Sequence, residues 1–166
     1  MNATIADKPM MDDREIEVLH DLIASRKPRR VLEWGAGSST IYWTNMFPDI
    51  QWVSIEHNAG WFKAVRLAAP PHVILIRLDG PEYFEFKDHH LGKFDMIIVD
   101  GRTTARVRCL KRSHTMLTEH GFAILHDSHH QPYLVDNINW DRVTEISPPN
   151  DSRKHRRGLM LFEGPK

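Results

Sequence analysis

Acidic residues stand at the ends of five apolar segments of the sequence, and this repeated position is the first sign of chemistry. They are Glu33, Glu56, Asp79, Asp100 and Asp127. One or two such acids are expected as caps of the helices that follow, because carboxylates accept hydrogen bonds from free N–H groups. Capping does not account for all five positions. If the segments are parallel strands, the carboxylates converge on the sheet edge where α/β proteins bind ligands.

A glycine-rich turn, Gly35-Ala36-Gly37-Ser38, follows the first of these acids. Glycine lets a ligand approach the main chain closely, and the helix after the turn offers free N–H groups. Glu56 lies 21 residues beyond Gly35, a spacing at which an acidic residue can bind both hydroxyls of a ribose. Together with Asp79, these residues predict a nucleoside site.

The expected nucleoside carries no pyrophosphate. A dinucleotide fingerprint would place glycine or alanine three residues after Gly37, where Thr40 stands, and no lysine follows the turn as it would in a P-loop. Glu33 beside the turn would repel a phosphate. It suits a cationic amino acid that carries a sulfonium and an ammonium group, such as S-adenosylmethionine (SAM).

Strands that alternate with helices position these residues. Apolar periodicity predicts helices over 12–25, 40–46, 59–69 and 104–117, and strands over 31–34, 52–55, 73–77, 94–99 and 121–125. This alternation is typical of an α/β fold with a single doubly wound, mostly parallel sheet. Segments 142–146 and 158–162 predict a C-terminal antiparallel hairpin at its edge. We expect one domain over 1–166, with a loose N-terminal arm over 1–11.

Composition excludes several classes of protein. The 22 Lys and Arg balance 22 Asp and Glu, which argues against a nucleic-acid partner because such proteins carry a basic surplus. No apolar run approaches the roughly 18 residues of a membrane span. The acidic start predicts no secretory signal, and the single cysteine, Cys109, fits a reducing compartment. A cytoplasmic location is therefore expected, and a homo-oligomer stays open.

Four segments, 31–40, 54–57, 78–80 and 94–102, resemble the motifs of class I, Rossmann-like SAM-dependent methyltransferases. The Glu-Trp-Gly-x-Gly-Ser-x-Thr form of the first motif is similar to a small bacterial subgroup. The resemblance implies that Gly35 and Gly37 flank the methionine part of the cofactor, Glu56 holds the ribose, Asp79 faces the adenine amino group, and Asp100 lies near the transferred methyl group. The full set of implied cofactor contacts is Glu33, Trp34, Gly35, Gly37, Ser38, Glu56, His57, Asp79, Gly80 and Asp100.

Methyl transfer requires the protein to position the acceptor and, for a hydroxyl, to remove its proton. The predicted catalytic residues are Asp100, Arg102, His126 and Asp127. Catechol-type methyltransferases, which these segments resemble, place metal-binding acids where Asp100 and Asp127 stand. Ser128 replaces the asparagine that follows the second acid in that pattern, which argues against a divalent metal. Without a metal, His126, His129 or Asp100 would be the base.

The sequence predicts a methyltransferase that acts on an O or N atom of an unidentified acceptor. The acceptor is expected to be a small molecule, or an acidic one that the planar fork of Arg102 would bind. A second basic set, Lys154, Arg156 and Arg157, is either a solvated loop or a contact for an acidic substrate or RNA. One alternative is a SAM-binding protein without catalysis. A dinucleotide or nucleotide-sugar enzyme is the other, and the missing third glycine and Glu33 weigh against it.

Overall fold

The structure is a computed structural model that describes residues 4–86, 89–128, 140–147 and 158–164. Its strands are β1 (Arg30–Trp34), β2 (Gln51–Glu56), β3 (Ile74–Arg77), β4 (Phe94–Val99), β5 (Leu117–His126), β6 (Arg142–Ser147) and β7 (Leu159–Glu163). Its helices are α1 (Asp13–Arg26), α2 (Ser38–Met46), α3 (Ala59–Ala68), α4 (Gly80–Glu85) and α5 (Arg106–Met116). None of the described helices has the length and apolar character that a membrane crossing requires.

The seven strands form one sheet in the order β3-β2-β1-β4-β5-β7-β6. Strands β1 to β5 pair in parallel, whereas β7 runs antiparallel to both of its neighbours. The predicted doubly wound α/β sheet with a C-terminal antiparallel hairpin is therefore confirmed. Helix α4 was not predicted, because six residues are too few to show a helical period.

Strand β4 is apolar at five of its six positions because both faces of the sheet are covered. Ile97 belongs to a core cluster that includes Leu110 of α5, while Met96 and Ile98 belong to a second cluster that includes Leu19 of α1. Successive side chains of a strand point to opposite faces of the sheet. A strand between two helical layers therefore needs apolar residues on both of its faces. The sheet thereby fixes the positions of the residues that follow its strands.

A reciprocal pair of hydrogen bonds starts α1. Asp12 Oδ1 accepts from the backbone N–H of Glu15, and Glu15 Oε2 accepts from the backbone N–H of Asp12, each at 2.9 Å. The chain before this cap also contacts the body of the fold: Met11 is buried, and the Ala6 N–H donates to Ser38 Oγ at 2.9 Å. Within the segment 1–11, for which the sequence predicts a loose arm, Ala6 therefore contacts the glycine-rich turn and Met11 packs in the core.

Candidate active site

The carboxyl ends of four parallel strands lie side by side in the sheet. Trp34 of β1 lies opposite both Ile55 of β2 and Val99 of β4, and Val99 lies opposite Leu125 of β5. The residues directly after these positions therefore reach the same edge: Gly35, Glu56, Asp100 and His126. This is the edge at which the sequence predicted the ligand site.

Gly35 is required by the close approach of two strand ends. Its φ is 104°, and a Cβ there would lie 2.5 Å from the Gly101 Cα and 2.6 Å from the Gly101 N. The Gly35 N–H donates to Ile55 O at 2.9 Å. Any side chain at this position would separate the turn from the end of β4, so the first glycine of the motif is explained by the fold itself.

Gly37 differs from Gly35 because the space around its Cα is largely open. Its backbone is extended, with φ −170°, and a Cβ there would meet only the Trp61 ring, at 3.9 Å. The fold can therefore accept a side chain at this position. A side chain would instead occupy the space in front of the turn, where the sequence predicted a ligand.

A cavity of about 220 Å³ opens in front of the turn. It brings together six of the ten predicted cofactor contacts, namely Gly35, Gly37, Ser38, Glu56, His57 and Asp100. Predicted catalytic residue Arg102 also lines it, as do Trp61 and Met10. The ionisable lining thus includes the two carboxyl groups of Glu56 and Asp100 and the guanidinium of Arg102.

A second cavity of about 290 Å³ adjoins the first, because His57 and Arg102 line both. Gly80 lines it together with Tyr83 and Phe84 of α4. Asp79, a predicted cofactor contact, is exposed and lines neither of these two cavities; it caps α4, where its Oδ1 accepts from the Gly80 N–H at 2.7 Å. Taken together, the two cavities have the size of a site for a small organic ligand.

Glu56 is the buried acid of the first cavity, with 3% of its surface exposed. Burial raises the pKa of its carboxyl to about 7, although the backbone N–H groups of Asn58, His57 and Ala36 hydrogen-bond to the carboxylate and oppose that shift. The Asn58 N–H lies 2.5 Å from Oε1. Near neutral pH this carboxyl therefore passes between its neutral and its ionised form.

His57 stands between the two cavities. Its ring centroid is 5.2 Å from that of Tyr83, and its Nδ1 lies 3.1 Å from Glu56 Oε1. Burial and then the positive charge of Arg102 lower the pKa of the imidazole, while Asp79 acts in the opposite direction. The ring is therefore neutral at pH 7.

Glu33 and Trp34 lie beneath the turn and outside the cavity lining. The fully buried Glu33 carboxylate accepts hydrogen bonds from the hydroxyls of Ser39, Thr40 and Ser54 at 2.6–2.7 Å, and from the Trp52 Nε1–H at 3.1 Å. These donors hold it against the underside of α2. The indole of Trp34 is fully buried too, and its Nε1–H donates to Tyr83 O at 3.0 Å. Both side chains therefore belong to the buried interior beneath the turn and do not line the cavity.

Asp100 and His126 form a close pair at the ends of β4 and β5. His126 Nδ1 lies 2.7 Å from Asp100 Oδ1, and His126 Nε2 lies 3.5 Å from Glu15 Oε2. Burial alone would lower the pKa of His126, but Asp100, Glu15 and Asp127 outweigh it and raise the pKa to about 10. At neutral pH the ring is an imidazolium, a charge state different from the neutral imidazole that a general base needs.

Arg106 joins the two predicted catalytic acids. Its Nη2 donates to Asp100 Oδ1 at 3.2 Å, and its Nη1 donates to Asp127 Oδ2 at 3.1 Å. The Arg106 side chain is 6% exposed, whereas those of Asp100 and Asp127 are 21% and 22% exposed. The guanidinium is thus a buried counter-charge behind two partly exposed carboxylates.

The divalent metal that the acid pattern suggests does not fit this arrangement. Ligand atoms of Asp100, His126 and Asp127 do lie within 4.8 Å of one another, close enough for one ion to bridge. Both carboxylates, however, already contact the guanidinium of Arg106, and Asp100 also contacts the His126 ring. A bound metal would add a third positive centre beside two existing ones.

The sequence did not identify Glu15 or Met10 as site residues, and it did not assign a role to Arg106. Glu15 lies in the buried stripe of α1 with Leu19 and Ile23, so an acid at an apolar position was the available signal. Arg106 likewise lies in the buried stripe of α5 with Cys109 and Leu110, whereas Arg108 is exposed, so helical spacing was the available signal for it too. The candidate base His129 and the basic set Lys154, Arg156 and Arg157 lie outside the described residues.

Neither a protein-family model nor a curated protein matches this chain, but solved structures share its fold. The O-methyltransferase TomG from Streptomyces achromogenes, in complex with SAM, is 18% identical with a TM-score of 0.72, over 94% of this chain and 82% of TomG. An O-methyltransferase from Bacillus cereus, in complex with S-adenosylhomocysteine (SAH), is 14% identical with a TM-score of 0.68, over 93% of this chain and 84% of that enzyme. The N-methyltransferase NodS from Bradyrhizobium japonicum, also with SAH, is 15% identical with a TM-score of 0.65, over 98% and 91%. This chain has the fold of these methyltransferases.

Proposed function

We propose that this protein is a SAM-dependent methyltransferase that acts on an O or N atom of a small acceptor. The observation that carries the proposal is the single cavity that unites the Gly35–Ser38 turn, the buried carboxyl of Glu56 and Asp100. The solved structures that share the fold include O- and N-methyltransferases with SAM or SAH bound. The site and the fold support the same chemistry independently.

The residues of the two cavities fit the parts of SAM. Gly37 leaves the space in front of the turn open for the methionine part, and the Glu56 carboxylate would accept hydrogen bonds from the ribose hydroxyls. The second cavity, lined by Gly80 and aromatic residues of α4, would take the adenine. When bound, SAM would supply the methyl group from its sulfonium, on the side of the cavity that Asp100 lines.

The acceptor would approach from the side of Asp100 and Arg102. Asp100 is partly exposed at the cavity and would accept a hydrogen bond from the acceptor hydroxyl or amine, which would orient that atom for the transfer. Arg102 is exposed where the two cavities meet, so it would bind a carboxylate or phosphate of an acidic acceptor.

Membership of the bacterial subgroup, a homo-oligomer and a cytoplasmic location stay predictions from the sequence.

Methyl transfer from SAM with a radiolabelled methyl group tests this function. The purified protein is incubated with labelled SAM and a cell extract, and the small-molecule and macromolecular fractions are counted separately. We expect label in the small-molecule fraction, and less of it when Asp100→Asn replaces the wild type. A protein that binds SAH but transfers no label to any fraction would be a binding protein without catalysis. A protein that binds NAD in place of SAH would be a dinucleotide enzyme.

A further inference from the structure

We propose that the guanidinium of Arg106 is the built-in cation of this site, and that it serves Asp100 and Asp127 in place of a divalent metal ion. The reaction would then be independent of metals. The inference depends on the proposed function only for the reaction that these groups serve. The charge arrangement itself can be tested on the protein without cofactor or acceptor.

The contacts of Arg106 are those of a fixed structural cation. Besides the two carboxylates, it donates to three backbone carbonyls at the ends of β4 and β5: Nε to Gly101 O at 2.9 Å, Nη1 to His126 O at 2.7 Å, and Nη2 to Asp100 O at 3.2 Å. A planar guanidinium can satisfy such a set because its five N–H groups point in fixed directions. Swinging the side chain out to admit an ion would break all of these bonds together.

The position of Arg106 in α5 supports the same reading. Arg106 is the first residue of the helix, and the preceding Ala105 provides no side-chain cap. The N-terminus of a helix carries partial positive charge, so a cation is unfavourable there unless nearby anions compensate. Asp100 and Asp127 are those anions. The pair of acids and the arginine therefore stabilise one another.

A metal ion would have to share this space with a charge that cannot be removed. Carboxylate oxygens bind divalent ions at about 2.0–2.6 Å, and the same two carboxylates lie within 3.2 Å of guanidinium nitrogens. Arginine stays protonated in proteins, so it cannot lose its charge to accommodate the ion. His126 contacts Asp100 Oδ1 as well, at 2.7 Å, so this oxygen already lies beside two nitrogen donors, those of His126 and Arg106.

Electron paramagnetic resonance of Mn²⁺ tests the proposal directly, because free and protein-bound Mn²⁺ give different signal amplitudes. Mn²⁺ is titrated into the wild type, into Arg106→Met, and into Lys111→Met as a matched control that removes one exposed positive charge from the same helix. We expect no binding to the wild type or to Lys111→Met. Arg106→Met is expected to bind Mn²⁺ at least about tenfold more tightly than the wild type does, because the carboxylates of Asp100 and Asp127 lose their counter-charge. Adding Asp127→Asn to Arg106→Met should remove that binding.

Two results would overturn the proposal. One is Mn²⁺ binding by the wild-type protein that Asp127→Asn abolishes, since the acids would then hold a metal with Arg106 present. The other is a folded Arg106→Met protein that gains no Mn²⁺ affinity. If Arg106→Met does not fold, Arg106→Gln takes its place, because its amide can still donate to the backbone carbonyls but carries no charge. The same gain of Mn²⁺ binding is expected from it.

Discussion

Replacing Glu56 by alanine should weaken the binding of SAH without unfolding the protein. The side chain lines the first cavity and is 3% exposed, so its carboxylate is shielded from water when a ligand is bound. Alanine would remove the acceptor for the ribose hydroxyls. It would also leave the N–H groups of Ala36, His57 and Asn58, which hydrogen-bond to this carboxylate, to water.

The size of the loss follows from the type of bond. A hydrogen bond to a charged group contributes about 1.5–3 kcal/mol, and a loss of that size lowers affinity about 10- to 150-fold. The Asn58 N–H contact of 2.5 Å belongs to the turn before α3, so a modest loss of thermal stability is expected as well. The melting temperature of the variant therefore has to be measured beside its affinity.

The pH dependence of binding gives a second readout for the same residue. Burial raises the pKa of the Glu56 carboxyl to about 7, so the group is ionised above that pH and neutral below it. Ribose hydroxyls donate to the ionised form, which means that SAH affinity should be constant at alkaline pH and fall about tenfold per unit as the pH drops below 7. Glu56→Ala should show no such fall.

Isothermal titration calorimetry with SAH between pH 5.5 and 8.5 measures both effects. Glu17→Ala, which removes an exposed acid from α1, is the matched control and should bind SAH as the wild type does. The reasoning about this site would be refuted by unchanged affinity in folded Glu56→Ala. It would equally be refuted by a wild-type affinity that does not vary between pH 6 and pH 8.

Three further predictions concern the turn, the N-terminal segment and the acids. Gly37→Val should keep the wild-type melting temperature but lose SAH binding, and tight SAH binding by this variant would contradict the turn assignment. Gly35→Ala should fold poorly, because its Cβ would lie 2.5 Å from a backbone atom of Gly101. Deletion of residues 1–9 should weaken SAH affinity about 2- to 10-fold through loss of a hydrogen bond to the turn, and calorimetry showing no change would separate this segment from the site. Asp100→Asn and Asp127→Asn should lower labelled methyl transfer by about 100-fold or more and SAH affinity much less; normal turnover by both would put the chemistry elsewhere.

Much of the fold could be predicted because the sheet is buried on both faces. Phe94–Val99 was predicted with the bounds that the structure gives β4, since the four consecutive apolar residues 96–99, ended by Asp100, are typical of a strand buried on both faces. Strand β5 begins at Leu117, four residues before its predicted start. Its first part, Leu117–His120, is mostly polar, so its pairing depends on the neighbouring strand and leaves no apolar signal in the sequence.

The cavity residues were predictable to the extent that they directly follow strands. Gly35, Glu56 and Asp100 lie at strand ends, and parallel register brings such positions together whatever the loops do. The orientation of a side chain is a different matter. Glu33 belongs to β1 and points beneath α2, where three hydroxyls surround it. Arg106 lies on the buried face of α5 beside Asp100 and Asp127, and sequence spacing cannot show which acids it contacts there.

A crystal structure of the protein with SAH tests the central claim most directly. We expect SAH in the two adjoining cavities, with its homocysteine part in front of Gly37, its ribose hydroxyls on the Glu56 carboxylate and its sulfur on the side of Asp100. SAH bound elsewhere on the protein, or a complex in which the ribose makes no contact with Glu56, would contradict it.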